Sequence, residues 1–99
     1  MKKIEDHIAL DTIVSRIDGL PTVDLEGEIG MMHIEKGKYY GLDSVGSRIW
    51  ELMNTPKTID TIIQTLLEEY KVDVETCKDH VLEFVHVLNN AELLKVNNM

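Results

Sequence analysis

The spacing of hydrophobic residues along the chain changes near residue 43. Before that point, short runs rich in β-branched and aromatic residues alternate with turn residues, and all six glycines lie before residue 47. After it, apolar residues recur every three to four positions. A period near two is typical of strands and a period near 3.6 is typical of helices. The pattern therefore predicts a small antiparallel sheet followed by helices.

Four runs in the first part are candidate strands: Thr12–Ile17, Thr22–Leu25, Glu28–Glu35 and Lys38–Leu42. Glu26-Gly27 and Lys36-Gly37 separate successive runs, and glycine supplies the positive φ that a tight hairpin turn needs. A two-residue turn at Lys36-Gly37 would place Ile34 opposite Tyr39. One face of the sheet would then carry Ile29, Met31, Tyr40 and Leu42, and the other Met32, Ile34 and Tyr39.

Three helices are predicted, and each begins at a residue whose side chain can accept a hydrogen bond from the first-turn amides. These capping residues are Asp43 or Ser44, Thr58, and Asp73. The apolar stripes are Val45, Ile49, Leu52 and Met53, with Trp50 at the border; Ile59, Ile62, Ile63, Leu66, Leu67 and Tyr70; and Val74, Cys77, Val81, Phe84, Val85 and Leu88. Amphipathic stripes of this kind pack against a common core.

The ends of these helices and the segment that follows are also marked. Thr55-Pro56 ends the first helix, because a residue before proline disfavours the helical region. The third ends near Asn89-Asn90, either of which tolerates a left-handed cap, and Leu93–Val96 is a short final strand or a docked tail. Gly46 lies inside the first helix, where glycine is unfavourable, and predicts the close approach of another backbone.

The order of elements predicts an α+β fold, a small antiparallel three-stranded sheet followed by three helices, similar to a winged helix-turn-helix. With 99 residues, of which 43% are hydrophobic and 28% charged, we expect one globular domain over residues 1–99. No apolar run is long enough to span a membrane, so no membrane partner is expected.

The charge opposes binding to nucleic acid. Eighteen acidic and ten basic residues give a formal net charge of -8, which repels phosphate backbones. The third helix carries Glu75, Asp79 and Glu83, and Lys78 is its only basic residue between Asp73 and Asn90. A winged-helix DNA-binding regulator is therefore an alternative that rests on fold class alone.

The residues do not form a recognisable catalytic or metal-binding pattern. Cys77 and His80 lie three residues apart on one helix, but Cys77 belongs to the apolar stripe and no third group orients the histidine. His7, His33, His80 and His86 lack zinc spacing. We expect no enzymatic activity, metal or other cofactor.

Two features favour a cytoplasmic location. A lone cysteine cannot form an internal disulfide, and the charges in Ile4–His7 interrupt any apolar core of a signal peptide.

The edge of the sheet is the candidate binding feature. Lys38–Leu42 is the last strand before the helices, so one of its sides is free to pair with an extended peptide. Val81, Phe84, Val85 and Val87 of the third helix could form the wall of a groove beside it, although Val81, Phe84 and Val85 fit the core equally. The residues flanking the buried stripe are either His80, Phe84 and Val87 or Lys78, Leu82 and Val85.

Several segments resemble the PqqD-like family, and its lasso-peptide members most. They are Lys38–Met53 (KYYGLDSVGSRIWELM), Thr58–Tyr70, Val72–Cys77, Val81–Phe84 and, for the lasso subgroup, Gly19–Leu25. The resemblance covers residues 11 to 96, which marks the core of the predicted domain.

The resemblance implies a non-catalytic recognition domain for the leader region of a ribosomally made precursor peptide. The leader would add as a strand to Lys38–Leu42 and lie beside the helix Glu75–Asn89, and a leader peptidase and a cyclase would be the further partners. The candidate peptide-binding residues are Lys38, Tyr39, Tyr40, Gly41, Leu42, His80, Val81, Phe84, Val85 and Val87. The alternative from the residues is a structural subunit that docks a maturation enzyme through Met32, Ile34 and Tyr39, without a peptide groove.

Overall fold

The computed structural model describes residues 8–97, so the expectation based on Ile4–His7, and His7 itself, lie outside it. In chain order the elements are β1 Ile13–Arg16, β2 Thr22–Leu25, β3 Glu28–His33, β4 Lys38–Gly41, α1 Ser44–Leu52, β5 Lys57–Thr58, α2 Ile59–Glu69, α3 Val74–Asn90 and β6 Leu94–Asn97. The predicted α+β class, with a small antiparallel sheet and three helices, is confirmed.

The strands form two sheets instead of one. The predicted meander is the sheet β2-β3-β4, and the second sheet has the order β5-β1-β6. Within the second sheet Ile13 pairs with both Thr58 and Asn97. The first predicted strand therefore joins two distant parts of the chain, and the segment after α3 is a strand that pairs with β1 along its length.

The β2–β3 hairpin has the turn that the sequence predicts. Leu25 pairs with Glu28, and the two residues between them have φ values of 58° for Glu26 and 92° for Gly27. Positive φ at both central positions is the type I′ geometry that matches the twist of the flanking strands. The Gly27 N–H also donates to Asp24 Oδ1 at 2.8 Å.

The predicted register of the β3–β4 hairpin is wrong. Met32 pairs with Tyr39, and residues Ile34 to Gly37 form a four-residue turn in which the Gly37 N–H donates to the Ile34 carbonyl at 3.2 Å. The pairing is displaced by two positions from the predicted one. Because side chains alternate with a period of two, this displacement leaves the predicted faces of the paired strand residues unchanged.

All three predicted helix caps are present. Asp43 Oδ1 accepts from the Gly46 N–H at 2.7 Å, Thr58 Oγ1 from the Thr61 N–H at 3.1 Å, and Asp73 Oδ2 from the Thr76 N–H at 3.1 Å. Each acceptor satisfies one amide that has no partner within its helix. Of the two candidates at the first helix, Asp43 is the cap.

The end of α3 differs from the prediction. Asn90 is its last helical residue, Ala91 is the C-cap, and the left-handed residue is Glu92, with a φ of 63°. The Leu93 N–H donates to the Leu88 carbonyl at 3.0 Å, which is the long bond of a Schellman motif. This motif turns the chain into β6.

The core lies between the three helices and the inner sides of the sheets. Its most buried large side chains are Trp50, Met31, Met53, Ile59, Ile62, Leu88, Leu93, Val14, Val81 and Val85. Trp50 was predicted at the border of its helix, but it is buried, and the guanidinium of Arg16 lies 5.5 Å from its ring centroid. Among residues 8–97 no helix is both long and apolar enough to cross a membrane.

Candidate functional site

Strand β4 lies at one edge of its sheet. The order β2-β3-β4 leaves β4 with one neighbour, β3, among the described residues. The predicted edge is therefore present, and its value as a binding surface depends on which main-chain groups point outward.

The hydrogen bonds at the end of the hairpin define that direction. The Leu42 N–H donates to the Ile29 carbonyl at 2.8 Å, so the main chain of Leu42 faces β3. In an antiparallel ladder alternate residues bond to the same neighbour, so Tyr40 also faces β3. Tyr39 and Gly41 consequently direct their N–H and C=O groups to the free edge.

A buried serine of α1 attaches this end of the sheet to the helix. The Ile29 N–H donates to Ser47 Oγ at 2.8 Å, and the hydroxyl donates to the Leu42 carbonyl at 3.4 Å. Ser47 thus bridges β3 and the residue that follows β4, and it is buried. The position of α1 relative to β4 is set by this bridge.

An open groove runs between α1 and α3 and begins where β4 ends. We call it the α1–α3 groove; its volume is about 430 Å³ and it is lined by Asp43, Val45, Gly46, Ile49, His80, Glu83, Phe84 and Val87. Asp43 also lines a depression of about 280 Å³ that includes Tyr39, Gly41 and Leu42. The free edge of β4 and the groove are therefore continuous through Asp43.

Gly46 permits the close approach of Phe84 to α1. A Cβ atom at Gly46 would lie 3.1 Å from Phe84 Cε1 and 3.1 Å from Asp43 Oδ1. The expectation that another backbone lies against Gly46 is wrong, because the nearby groups are an aromatic side chain and the capping carboxylate. Phe84 is half-buried, so its ring both packs against the core and borders the groove.

The structure distributes the candidate residues of α3 between groove and core. His80 and Val87 are exposed and line the α1–α3 groove together with Phe84. This is the first of the two flanking sets that the sequence left open. Val81 and Val85 are 1% and 0% exposed, so both belong to the core, and neither lines this groove. Their assignment as groove wall is corrected to the core alternative.

The candidate residues of β4 and Leu42 lie on two faces. Tyr40 and Leu42 are half-buried and pack against the core, whereas Tyr39 is 57% exposed on the opposite face. Lys38 and Gly41 are exposed. A strand added to β4 would therefore meet apolar side chains on both faces of the sheet.

Sequence reasoning missed the contribution of α1 to the groove. Val45 was assigned to the buried stripe, but it is 39% exposed and forms part of the groove wall with Ile49. Its place at the start of the stripe, directly after the capping residue, is the only signal that could have placed it at the rim.

The outer face of the sheet carries a second apolar surface. Val23, Leu25, Met32 and Tyr39 are exposed there, because Val23 pairs with Gly30 and Met32 pairs with Tyr39. Ile34 was predicted on this face but begins the turn instead, and it is exposed. The ring of Tyr39 covers Gly30, where a Cβ atom would lie 2.8 Å from Tyr39 Cζ.

The charges near the groove are acidic at its β4 end. Asp43 and Glu83 line it, and no lysine or arginine is among its lining residues. Burial raises the pKa of the Cys77 thiol, which keeps this group protonated and unreactive. Among residues 8–97 no three His, Cys, Asp or Glu side chains lie close enough together to hold a metal ion.

Comparison with known proteins identifies the family. The family model described as "Coenzyme PQQ synthesis protein D (PqqD)" matches residues 28–94, which is more than half of the chain. The chain belongs to the PqqD family. The predicted resemblance is thereby confirmed, and the matched segment extends from β3 to the start of β6 and contains the whole candidate site.

A solved structure extends the similarity to most of the chain. It is "TbiB1 in Complex with the TbiA(beta) Leader Peptide", 34% identical, with a TM-score of 0.74. The match covers 82% of this chain and 94% of that chain. No curated protein sequence matches this PqqD-family chain.

Proposed function

We propose that this protein is a non-catalytic adaptor that binds the leader region of a ribosomally synthesised precursor peptide. The leader adds as a strand to the free edge of β4 and lies beside α3. The observation that carries the proposal is the outward direction of the Tyr39 and Gly41 main-chain groups next to the α1–α3 groove. Main-chain bonds would supply affinity, and the groove would select side chains.

The comparison with known structures supports the same type of ligand. TbiB1, which is 34% identical, was solved in complex with a leader peptide. A ligand of this kind needs no catalytic group from the protein, which agrees with the absence of a recognisable catalytic pattern in the sequence.

The precursor in this proposal is a lasso-peptide precursor, and the downstream partners are a leader peptidase and a cyclase. The segment Gly19–Leu25, which carries the resemblance to the lasso members, forms β2 and the approach to it. The outer sheet face with Val23, Leu25, Met32 and Tyr39 is the surface proposed to dock the peptidase. A large exposed apolar patch of this kind is typical of an interaction surface. The adaptor would work in the cytoplasm, where the precursor is made.

The same outer face favours a second candidate function, a docking subunit without a peptide groove. In that case the protein would bind the peptidase in the absence of any leader, and changes in the α1–α3 groove would leave the complex intact.

Calorimetric titration distinguishes these functions. The titrant is the leader segment of the precursor encoded beside this gene, and the control is a scrambled leader. The adaptor predicts saturable one-to-one binding of the native leader only. Absence of binding by the native leader, together with retention of the peptidase, would support the docking subunit instead.

Strand addition is tested by a pair of proline variants on opposite edges of the same sheet. Tyr39→Pro removes an N–H that faces the free edge of β4, and we expect it to abolish leader binding. Thr22→Pro is the matched control. The Met32 N–H donates to the Pro21 carbonyl, so the main chain of Thr22 faces away from β3 on the other edge. Undiminished binding by folded Tyr39→Pro would exclude the mechanism.

A further inference from the structure

A second cavity continues the α1–α3 groove toward the end of α2. We call it the Tyr70 pocket; its volume is about 250 Å³, and Tyr70, Lys71 and Val72 form its mouth. Leu66, Cys77 and Val81 form its floor. Val45, Ile49 and His80 line both cavities, so the groove opens directly into the pocket.

The side chains at this mouth are apolar and accessible. Tyr70 and Val72 are 40% and 38% exposed, and both were free to be buried by the packing of α2 against α3. Tyr70 belongs to the apolar stripe predicted for α2, but it is the C-cap of that helix and lies at the rim. The pocket is therefore an apolar recess that the fold leaves open.

The charge changes sign along the two cavities. The groove has the carboxylates of Asp43 and Glu83 near β4, whereas the lining of the Tyr70 pocket contains Lys71 and no Asp or Glu. A ligand that occupies both cavities and matches this order carries a basic group near β4 and an acidic group near Lys71.

The spacing of the cavities fits an extended peptide. The groove touches α3 at His80, Glu83, Phe84 and Val87, and the Tyr70 pocket touches it at Cys77, His80 and Val81. The two sets are centred about four residues apart, which is about 6 Å along the helix axis. Alternate residues of an extended chain are about 6.6 Å apart and point to the same side.

We propose that the bound peptide extends beyond the strand at β4 and places two apolar side chains, at positions i and i+2, in the α1–α3 groove and in the Tyr70 pocket. An acidic group of the peptide lies next to Lys71. This inference rests on the proposed leader-binding function, and it adds the composition of the recognised segment.

The experiment is an alanine scan of the native leader segment against the wild-type protein and two pocket variants. Tyr70→Ala removes a pocket wall, and Lys71→Glu reverses the charge at the mouth. Val74→Ala and Lys78→Glu are the matched controls, because both residues are on α3 and line neither cavity. Urea unfolding establishes that each variant is folded.

We expect Tyr70→Ala and Lys71→Glu to raise the Kd for the native leader by about tenfold, and the controls to leave it within about twofold of wild type. The scan should reveal two sensitive apolar positions two residues apart. Alanine at the pocket position should no longer distinguish Tyr70→Ala from wild type, a coupling that a general loss of stability would not produce.

Two results would overturn the inference and are separable from each other. If wild type binds the leader and the pocket variants bind as the controls do, the peptide does not enter the Tyr70 pocket, and strand addition stands. If wild type does not bind the native leader, the proposed function fails and this extension fails with it.

Discussion

Two glutamates hold backbone conformations that favour glycine. Glu26 has a φ of 58° in the β2–β3 turn, and Glu92 has a φ of 63° after α3. The left-handed region brings Cβ close to the carbonyl oxygen and destabilises an ordinary residue by about 1–2 kcal/mol. Both positions therefore store strain at turns that connect the elements of the site.

Relief of this strain at Glu92 should stabilise the protein. We expect Glu92→Gly to increase the free energy of unfolding by about 0.5–1 kcal/mol, since glycine is the usual residue at this position of a Schellman motif. The exposed Lys36–Glu92 ion pair, with an N···O distance of 3.4 Å, contributes little. Urea unfolding measures the change. Glu92→Ala is the control: it loses the same ion pair and keeps the strain, so an equal gain in both variants would contradict this explanation.

Ser47 holds the sheet and α1 together through one buried hydroxyl. Ser47→Ala should lower the free energy of unfolding by about 1–3 kcal/mol, because it leaves the Ile29 N–H without its acceptor in a buried place. Ser44→Ala, at an exposed position of the same helix, is the control and should have a much smaller effect. Chemical unfolding of the two variants compares them; equal losses would show that the bridge does not stabilise the junction.

At the scale of the elements, α1 and α2 are joined by an ion pair on the surface. Arg48 donates to Glu69 from both Nε and Nη2, at 2.9 Å and 2.6 Å to the two carboxylate oxygens. This hydrogen bonding lowers the pKa of Glu69 below its ordinary value of 4.5 and raises the pKa of Arg48. The two groups are about one-third exposed, so solvent screens the interaction.

The pair makes the stability of the helices depend on pH in the acid range. A carboxyl group whose pKa is lowered by folding stabilises the folded state above its ordinary pKa, and this contribution is lost as the pH falls through the lowered value. We expect Glu69→Gln to be destabilised by about 0.5–1 kcal/mol at pH 7. The difference from wild type should persist at pH 5 and shrink below pH 4.5 in urea unfolding measured across this range. A difference that stays constant down to pH 3 would exclude the linkage.

The helices were predictable because their signals are local. Asp43, Thr58 and Asp73 each cap the helix whose periodicity begins just after them. The turn at Glu26-Gly27 was predictable for the same reason. The turn after β3 was not, because Ile34 is apolar and looks like a strand residue, although it starts a four-residue turn.

The second sheet could not be predicted from local patterns. Its strand β1 pairs with β5 and β6, which lie more than forty residues further along the chain, and β5 has only two residues. Pairing of this kind depends on how the helices bring distant segments together. The sequence therefore predicted that Lys38–Gly41 is an edge, but not the register at that edge.

The site was predicted in part. The periodicity of α3 could not decide whether His80, Phe84 and Val87 or Lys78, Leu82 and Val85 flank the buried stripe, since the two sets differ by a small rotation of the helix. The decision comes from Gly46, where the missing side chain lets Phe84 lie against α1. The Tyr70 pocket also depends on how three helices meet, which no single periodic pattern contains.

At the scale of the whole molecule, the proposed ligand and partner surfaces meet at one strand. The main chain of β4 faces the free edge, the side chain of Tyr39 lies on the outer apolar face, and the chain after β4 leads into the α1–α3 groove. A leader bound at this edge would lie next to the surface proposed for the peptidase. The net charge of -8 makes both interactions sensitive to the charge of the partner.

The direction of the β4 main chain makes strand addition measurable residue by residue. Amide hydrogen exchange of the free protein should be fast at Tyr39 and Gly41, whose N–H groups face the free edge, and slow at Tyr40 and Leu42, which face β3. An added strand would use the same outward groups.

The most direct test of the account is therefore amide exchange, followed by NMR, with and without a saturating amount of the native leader segment. Strand addition predicts that the leader slows exchange at Tyr39, Gly41 or both, while Thr22 on the opposite edge is unchanged. Saturated leader binding that leaves the exchange of Tyr39 and Gly41 as fast as in the free protein would contradict it.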